Sequence, residues 1–566
     1  MKTTKYLLTA LAAAALVGCN DLDTLPMGDR YTDGQRKDVV EKDPAAIESQ
    51  MSAVYANLYA FEQNLDYLAD FGFPATLLGL ENRGQDQAMV INAYGWFEDN
   101  VLYTDNSSTS NFTTDNWGTL YKTIYSSNNL LKSLNLDTQD PELLCYIAQA
   151  KAMRAWAYTN LVQLYCKPYA VNPQAPGIPV VTELNEDEGA TSGIPRGTVA
   201  NVYAQILNDL TDAINLLTED GVYGGRYDKR FVDPAVAYGL RARAYLLMGK
   251  GNEAANDADA AMQLADAQEA LVEDVEKPAF NSFAQRDFMW GIHIAETDAH
   301  GLYTFAGMMG SLTYGYAYAG QWRTINELLW DMIPDDDVRK SWWLNPVEYK
   351  ASPVAGRYGV GYSALDNYIV DNSWVMCPAP YSSYPAPIYA YLVDIPAYGV
   401  VKFAPYQDEL QNTTGATDIP LMRYEEMILI KAEGLAMAGQ WTDAKTLIEN
   451  FVNDYRWVDE TTRYTCNATS KEEMLDEIWF QRRIELWGEG FSYFDCLRLQ
   501  KGIDRRGGGF PVEAVYNIPA NDNIFQYMIP TRELEANVLL KGQQNPAGVV
   551  QAVADSGQPY WYKPRQ

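Results

Sequence analysis

Carboxylates and flat aromatic rings are the side chains with which this sequence could do chemistry. The chain holds 74 Asp and Glu, 40 Tyr, 17 Phe and 14 Trp, but only two His, His293 and His300. So few histidines leave little for metal centres or for acid–base catalysis by imidazole. Aromatic rings instead provide rigid surfaces for contact with a ligand. The composition therefore favours binding over catalysis.

Short signatures of several enzyme classes are missing from the sequence. It has no G-x-x-x-x-G-K-[ST], H-E-x-x-H or G-x-S-x-G motif, and no G-x-G-x-x-G that follows a strand. Hydrolysis by paired carboxylates stays open, because Glu485 and Glu489 offer two acids on one predicted helix. Arg482 lies three residues before Glu485, which favours a charge network on one helix face. The run Asp335 to Asp337 could bind calcium, although it lacks the spacing and the glycine of an EF-hand loop.

Loop segments that combine aromatic and polar residues are the candidate ligand contacts. A sugar presents apolar C–H faces between rings of hydroxyls, so a ring covers the face while amide, carboxylate or guanidinium groups bond the hydroxyls. For each single ring, packing in the core is the competing interpretation. The candidate ligand-binding residues are Arg83, Trp96, Asn100, Tyr303, Tyr314, Tyr316 and Trp322.

The spacing of these aromatics makes two further predictions. Tyr314, Tyr316 and Tyr318 alternate, and they share one face if the segment is extended. The segment 372–391, with Trp374, Tyr381 and Tyr384 among prolines, is a weaker third candidate.

Two blocks of helical periodicity indicate the elements that would position these loops. Apolar and small residues recur every three or four positions in 117–131 and in 148–165, and helices are expected again at 198–217, 234–248 and 252–265. Residues 167–196 contain five prolines and are predicted to form a long irregular excursion without helix.

An internal repeat supports a helical-repeat fold. Ala244 to Gly249, with Ala254 beyond it, matches Gly434 to Gly439, with Ala444 at the same offset. Both copies predict helix, glycine turn and helix, as in a tetratricopeptide unit, although any αα-hairpin shares the pattern. The predicted fold is mostly α, with a tetratricopeptide-like scaffold at 116–275 and 420–500 and a loop-rich, irregular ligand-facing region at 67–115 and 280–419.

The N-terminus predicts export and lipid anchoring. Lys2 and Lys5 precede an apolar run over 6–17, which is too short to span a bilayer as a helix. Leu16-Val17-Gly18-Cys19 resembles the bacterial lipobox, so residues 1–18 are the predicted signal peptide and Cys19 the lipidated first residue of a single domain over 19–566. An ordinary secretory signal with an incidental Cys19 is the alternative. Asp21 and Asp23 resemble the export signal of surface lipoproteins.

A strong negative charge excludes polyanionic partners. The formal charge is −31, and loss of the signal peptide would remove two lysines and lower it to −33. This field repels nucleic acid and anionic lipid.

Five segments in a fixed order resemble the SusD/RagB family of outer-membrane nutrient-binding lipoproteins. They are the helix around Asn116-Trp117, residues 150–169 followed by Ile178-Pro179, residues 235–254, IWFQRRIELWGEGFSYFDCLR at 478–498, and the closing motif from Met528-Ile529-Pro530 to Asn545-Pro546. With the lipobox, the resemblance runs from Cys19 to the C-terminus. Cys496 departs from the Leu that the family more often has, which is a packing change.

This resemblance implies a cell-surface protein that binds oligosaccharides and delivers them to a SusC-like TonB-dependent transporter in the outer membrane. It implies no catalysis and no cofactor. It also implies that Trp330, Trp342 and Trp343, which flank the Asp-Asp-Val-Arg segment, are structural. The residues themselves leave two alternative functions open. One is a receptor of the same fold for peptides or another nutrient, and the other is a glycoside hydrolase.

Overall fold

The computed structural model describes residue 37, residues 47–344 and residues 396–563, except 63, 65, 66, 220, 221, 223–227, 410 and 460. The predicted signal peptide, Cys19 and the aromatic segment 372–391 lie outside the described residues. Within the described ranges, no helix is both long enough and apolar enough to cross a membrane.

Helices dominate the described chain, which confirms the mostly α prediction. In chain order the helices are α1 Glu48–Ala56, α2 Phe73–Arg83, α3 Glu98–Val101, α4 Asn111–Lys132, α5 Pro141–Tyr165, α6 Glu186–Ser192, α7 Val199–Leu217, α8 Pro234–Leu247, α9 Gly251–Leu264, α10 Val272–Val275, α11 Phe305–Met309, α12 Glu327–Met332, α13 Tyr424–Met437, α14 Trp441–Tyr455, α15 Lys471–Glu485, α16 Ser492–Arg498 and α17 Thr531–Ala536.

Strands are few and short. They are β1 Gln87–Met89, β2 Phe288–Ile292, β3 Arg323–Ile325, β4 Ile419–Arg423, β5 Ile503–Asp504 and β6 Asn517–Ile518. They form three two-stranded antiparallel sheets, β1 with β3, β2 with β4, and β5 with β6. Because β1 and β3 belong to the two loop-rich regions, their pairing brings these regions together.

The long helices form an array in which each helix packs on the next, in the order α4, α5, α7, α8, α9, α13 and α14. The two predicted glycine turns are present, since Gly249 and Gly439 have φ angles of 76° and 88°. A Cβ atom on Gly434 would lie 2.5 Å from the backbone oxygen of Gly251, so α13 and α9 cross where only glycine fits. The repeated helical hairpins are therefore confirmed.

Some helices begin or end at residues other than those that the periodicity predicts, because capping residues determine where a helix begins. Helix α5 begins at Pro141, seven residues before the predicted start, because the Asp140 side chain accepts from the N–H groups of Glu142 and Leu143. The prediction of an excursion without helix over 167–196 was wrong, since α6 lies inside it. Its residues fall in a stretch without proline, and Glu186, Asp187 and Glu188 occupy its first turn, where acidic residues favour a helix.

A buried charge network joins the scaffold to the strand β4. Glu485 accepts from Arg423 at 3.1 Å and from Arg456 at 2.9 Å. Burial alone would raise the pKa of Glu485, but Arg456 and Arg423 hold this pKa well below its usual range. The charge network comprises Arg339, Lys402, Arg423, Glu425, Arg456, Glu485 and Glu489, all buried.

This network confirms the structural interpretation of Glu485. The predicted partner was wrong in one respect, because Arg482 pairs with Asp495 on α16 at 2.7 Å and not with Glu485. Glu489 pairs with Lys402 at 2.6 Å and with Arg423 at 2.9 Å. The two carboxylates are therefore occupied by cations within the core.

Candidate functional site

Five aromatic rings from three separate segments meet at the surface between the two loop-rich regions. We call this group the aromatic platform and define it as Phe61, Tyr94, Trp96, Tyr303 and Tyr316. The Trp96 ring centroid lies 5.5 Å from that of Tyr303 and 5.3 Å from that of Tyr316. Tyr94 lies 5.2 Å from Tyr316, and Phe61 lies 6.4 Å from Tyr303. The rings are partly buried or exposed, so the platform offers accessible aromatic faces.

Hydrogen bonds between loops hold the platform in place. The Gln321 side chain donates to the backbone oxygen of Trp96 at 2.9 Å, and the Asn92 side chain donates to that of Gly320 at 3.0 Å. Asn92 also accepts from the N–H of Tyr94 at 2.9 Å. The chain then turns at Gly95, whose φ of 73° favours glycine. The loops at 91–97 and 300–321 therefore form one surface.

The phenol groups of the platform are partly withdrawn from water. The Tyr316 hydroxyl donates to the Tyr303 hydroxyl at 3.3 Å. Burial and this contact with Tyr303 raise the pKa of Tyr316. The exposed His300 stacks on Phe61, with 3.9 Å between centroids and 15° between planes. Tyr316 therefore keeps its proton at neutral pH, and its hydroxyl can take part in hydrogen bonds.

Three of the predicted contacts, Trp96, Tyr303 and Tyr316, belong to the platform, and their contact with ligand stays a prediction. Tyr314 lies elsewhere, because residues 311–320 form turns and not an extended segment. Its ring is 45% exposed and lies 6.3 Å from the buried Tyr318. The extended conformation in which the alternate tyrosines would share one face is therefore not present, and contact of Tyr314 with ligand stays a prediction.

Trp322 is partly buried beside β3, and its indole N–H is buried without a hydrogen-bond partner among the described residues. Its backbone oxygen accepts from Val90 at 3.2 Å, which continues the β1–β3 pairing. None of the ring contacts found among the described residues joins Trp322 to the platform. Trp330, Trp342 and Trp343 are buried, which confirms their predicted structural role.

Arg83 is an interior residue, which corrects its prediction as a ligand contact. The side chain is fully buried, and its guanidinium pairs with Asp105 and donates to the backbone oxygen of Ile524 at 2.7 Å. The rings of Tyr103 and Tyr527 lie 4.3 and 4.5 Å from the guanidinium carbon. An arginine with these partners has no surface to offer a sugar.

A polar pocket of about 310 Å³ is lined in part by Gly95, Phe97, Asp99 and Asn100, which belong to the same loop as the platform residues Tyr94 and Trp96. Predicted residue Asn100 lines this pocket, although the residue is buried and its amide donates to Asp105 at 2.7 Å. Eighteen residues line the pocket, and none is basic: Tyr67, Ala69, Asp70, Gly72, Ala75, Thr76, Gly95, Phe97, Asp99, Asn100, Thr104, Ser107, Ser110, Asn111, Phe112, Asp115, Asn116 and Thr119.

Asp115 is the most unusual group in the polar pocket. Its Oδ1 atom is buried and has no hydrogen-bond partner among the described residues. Burial and the negative charge of Asp70 raise the pKa of Asp115 to about 8. A hydroxyl or another donor that entered the pocket would satisfy this oxygen.

Sequence reasoning missed Phe61, Tyr94 and the polar pocket. Tyr94 could have been found, since it lies two residues before Trp96 and flanks the same glycine. Phe61 gave no local signal, because its contact with Tyr303 spans more than two hundred residues. The pocket is built from short polar side chains that are common in any loop.

The acidic run 335–337 is engaged by neighbouring cations. Asp337 pairs with Arg339 at 2.6 Å, and Asp335 pairs with Lys340 at 2.8 Å. Across the described residues, no group of three or more His, Cys, Asp and Glu side chains is placed to hold a metal ion.

Two models of one protein family match this chain. The model described as "Starch-binding associating with outer membrane" matches residues 41–246, and the model of the SusD family matches residues 394–548. The matches together span more than half of the chain. A curated relative, SusD-like protein P38 of Formosa agariphila, is 33% identical over 131 residues, which are 22% of this chain and 24% of that protein.

Solved structures share the fold. A SusD-like carbohydrate-binding protein from Bacteroides vulgatus is 21% identical, with a TM-score of 0.68 over 89% of this chain and 98% of that chain. Surface glycan-binding protein A from Bacteroides thetaiotaomicron is 15% identical, with a TM-score of 0.60 over 89% of this chain and 99% of that chain. At these identities the likeness establishes the architecture and not the ligand.

Proposed function

This chain belongs to the SusD/RagB family, and from that premise we propose that it is a non-catalytic receptor for glycans at the outer membrane. The observation that carries the proposal is the aromatic platform, in which rings from three segments meet beside a polar pocket. Proteins of the same fold include a carbohydrate-binding and a surface glycan-binding protein.

The chemistry of the platform suits a sugar. Ring faces of Trp96 and Tyr316 would cover the apolar faces of sugar rings, and the phenol groups would bond hydroxyls. The polar pocket, which is lined in part by the loop that carries Trp96, adds carboxylate and amide groups that could bond sugar hydroxyls. The net charge of −31 favours neutral glycans over sulfated or uronate-rich ones, because like charges repel.

We further propose that the protein is lipid-anchored through Cys19 and delivers its ligand to a SusC-like TonB-dependent transporter. The lipobox at 16–19 motivates the anchor, and family membership motivates the transporter. The paired carboxylates Glu485 and Glu489 support a receptor over a hydrolase, since both are bonded to cations in the core.

Binding arrays test the proposed ligand class. The purified protein is applied to arrays of neutral glycans, acidic glycans and peptides, and soluble polysaccharide is assayed for new reducing ends. We expect binding to neutral glycans and no release of reducing ends. Binding to peptides alone would establish the peptide receptor instead, and turnover would establish a hydrolase.

A second experiment tests the anchor and the transporter. Cells that produce Cys19→Ala are labelled with a fatty-acid analogue, and the wild-type protein is purified in mild detergent. We expect the variant to lose the label and to become soluble, and the wild type to co-purify with a much larger outer-membrane protein. Unchanged labelling would contradict the anchor, and recovery of the wild type alone would contradict the transporter.

A further inference from the structure

We propose that a second cleft, between helix α15 and the C-terminal segment, is a separate binding site for neutral oligosaccharide. The C-terminal cleft has a volume of about 670 Å³ and is lined by aromatic and polar residues that include Tyr464, Trp479, Phe480, Tyr560 and Trp561. None of its lining residues belongs to the aromatic platform or to the polar pocket. The inference rests on the proposed glycan-binding function and adds a site to it.

The floor of the cleft is rigid. The guanidinium of Arg483 lies 4.7 Å from the Trp479 ring centre and 4.2 Å from the Trp561 ring centre. Arg483 is fixed from behind by Asp86, which accepts from its Nε at 3.0 Å. The Trp561 indole donates to the backbone oxygen of Asp504 at 3.0 Å. These contacts position the aromatic surface before any ligand arrives, which lowers the cost of binding.

One hydrogen-bond donor in this floor is left without a partner. Trp479 is only 5% exposed, and its indole N–H is buried with no acceptor among the described residues. A buried donor in this state carries a free-energy cost that a ligand acceptor would remove. The hydroxyl oxygens of a sugar are suitable acceptors. The neighbouring Tyr560 is 53% exposed, so its ring is accessible to ligand.

The charges of the cleft indicate a neutral ligand. Three acidic residues, Glu473, Asp476 and Glu477, line the cleft together with three basic residues, Arg483, Lys501 and Lys563. Lys501 pairs with Asp476 at 2.7 Å, and Glu477 accepts from the Tyr464 hydroxyl at 2.6 Å. Lining charges of both signs in equal number attract neither a polyanion nor a polycation. A neutral oligosaccharide satisfies both the aromatic faces and the free indole donor.

Two sites on one receptor change how chain length affects affinity. A glycan long enough to reach both sites binds the second site intramolecularly, at a high effective concentration. Short oligosaccharides gain nothing from the second site. We therefore expect affinity to rise with chain length more steeply than one site allows.

The test uses the full chain and an array of neutral α-glucan, β-glucan, mannan and xylan oligosaccharides. The platform is disabled by Trp96→Ala with Tyr316→Ala, and the cleft by Tyr560→Ala, with Tyr560→Phe as the control that keeps the ring. We expect the platform variant to keep residual glycan binding. Tyr560→Ala, added to the platform variant, should weaken this residual binding by about tenfold. Tyr560→Phe should keep it.

Each of the following outcomes would overturn the proposal that the cleft binds glycan. If the platform variant loses all array binding, the proposed function stands and the cleft proposal fails. If the wild type binds no glycan on the array, both fail. If Tyr560→Ala leaves glycan binding intact but abolishes co-purification of an outer-membrane protein, the cleft is a docking surface for a protein partner.

Discussion

The charge network and the surroundings of the aromatic platform differ in whether their buried polar atoms have hydrogen-bond partners. Among the described residues, no side-chain polar atom of the charge network is buried without a hydrogen-bond partner. In the polar pocket and in the segment that follows the platform loop, buried atoms without partners among the described residues belong to Asp115, Gln321, Trp322 and Arg323.

This difference separates the residues that stabilise the fold from the residues that are proposed to face a ligand. A network in which every charge is paired fixes the helices relative to β4, but it leaves no group free for chemistry. Buried atoms without partners lower stability unless water or a ligand completes them. The region in which unpartnered buried atoms lower stability also carries the accessible rings, as expected for a binding site on a rigid scaffold.

The largest expected effect comes from breaking the charge network. Arg423→Met leaves Glu485 and Glu489 buried with fewer cations, so the free energy of unfolding should fall by about 3–5 kcal/mol. Denaturant unfolding measures the loss. The control is Arg230→Met, because Arg230 is partly exposed and pairs with Asp228 at the surface. Its effect should stay within about 0.5 kcal/mol. Equal effects of the two substitutions would contradict the distinction.

An arginine near the platform should respond in the opposite direction. Arg323 is fully buried, and its Nε and Nη2 atoms have no partner among the described residues. Burial lowers the pKa of Arg323 to about 9. Arg323→Met removes an unpaired buried charge, so stability at pH 7 should hold or rise by about 1 kcal/mol. The Arg323 Nη1 atom donates to the backbone oxygen of Gln321 at 2.5 Å. A loss as large as that of Arg423→Met would show that this bond outweighs the cost of the buried charge.

A third expected effect depends on pH and is absent near pH 4. The Asp115 pKa of about 8 lies far above its ordinary value of 3.8, so the folded state keeps a proton that the unfolded state has lost. Asp115 therefore lowers stability progressively as the pH rises from about 4 to about 8. Asp115→Asn should match the wild type near pH 4 and melt higher at pH 8. Melting curves across this range measure the difference, and a variant that melts lower at pH 8 would contradict it.

The helical scaffold was predictable because its determinants are local. The turns at Gly249 and Gly439 stand in the sequence at equal offsets from small residues, and the strand β2 appears as a short apolar run. The ends of helices were less predictable, because a single cap such as Asp140 moves a boundary by several residues. Helix α6 was missed because the prolines around it outweighed its acidic first turn.

The candidate site was only partly predictable because its contacts span the chain. Residue type and loop position were enough to select Trp96, Tyr303 and Tyr316, whose rings lie together in the platform. The same reasoning failed for Arg83, whose environment includes Tyr527, more than four hundred residues away. No local pattern shows that a distant carboxylate or ring will bury an arginine. The shared face of the alternate tyrosines required an extended segment, and the segment of Tyr314 instead forms turns.

Titration calorimetry of the platform tests the central claim most directly. The ligand is the neutral glycan with the strongest array signal, and the proteins are the wild type, Trp96→Ala and Tyr314→Ala. Tyr314→Ala is the matched control because its ring is exposed in the same region but lies outside the platform. We expect Trp96→Ala to weaken binding by about thirtyfold, equivalent to about 2 kcal/mol, while Tyr314→Ala binds as the wild type does and both variants keep the wild-type melting temperature. Unchanged affinity of Trp96→Ala, or a collapse of its melting temperature, would contradict the assignment of the platform as the glycan site.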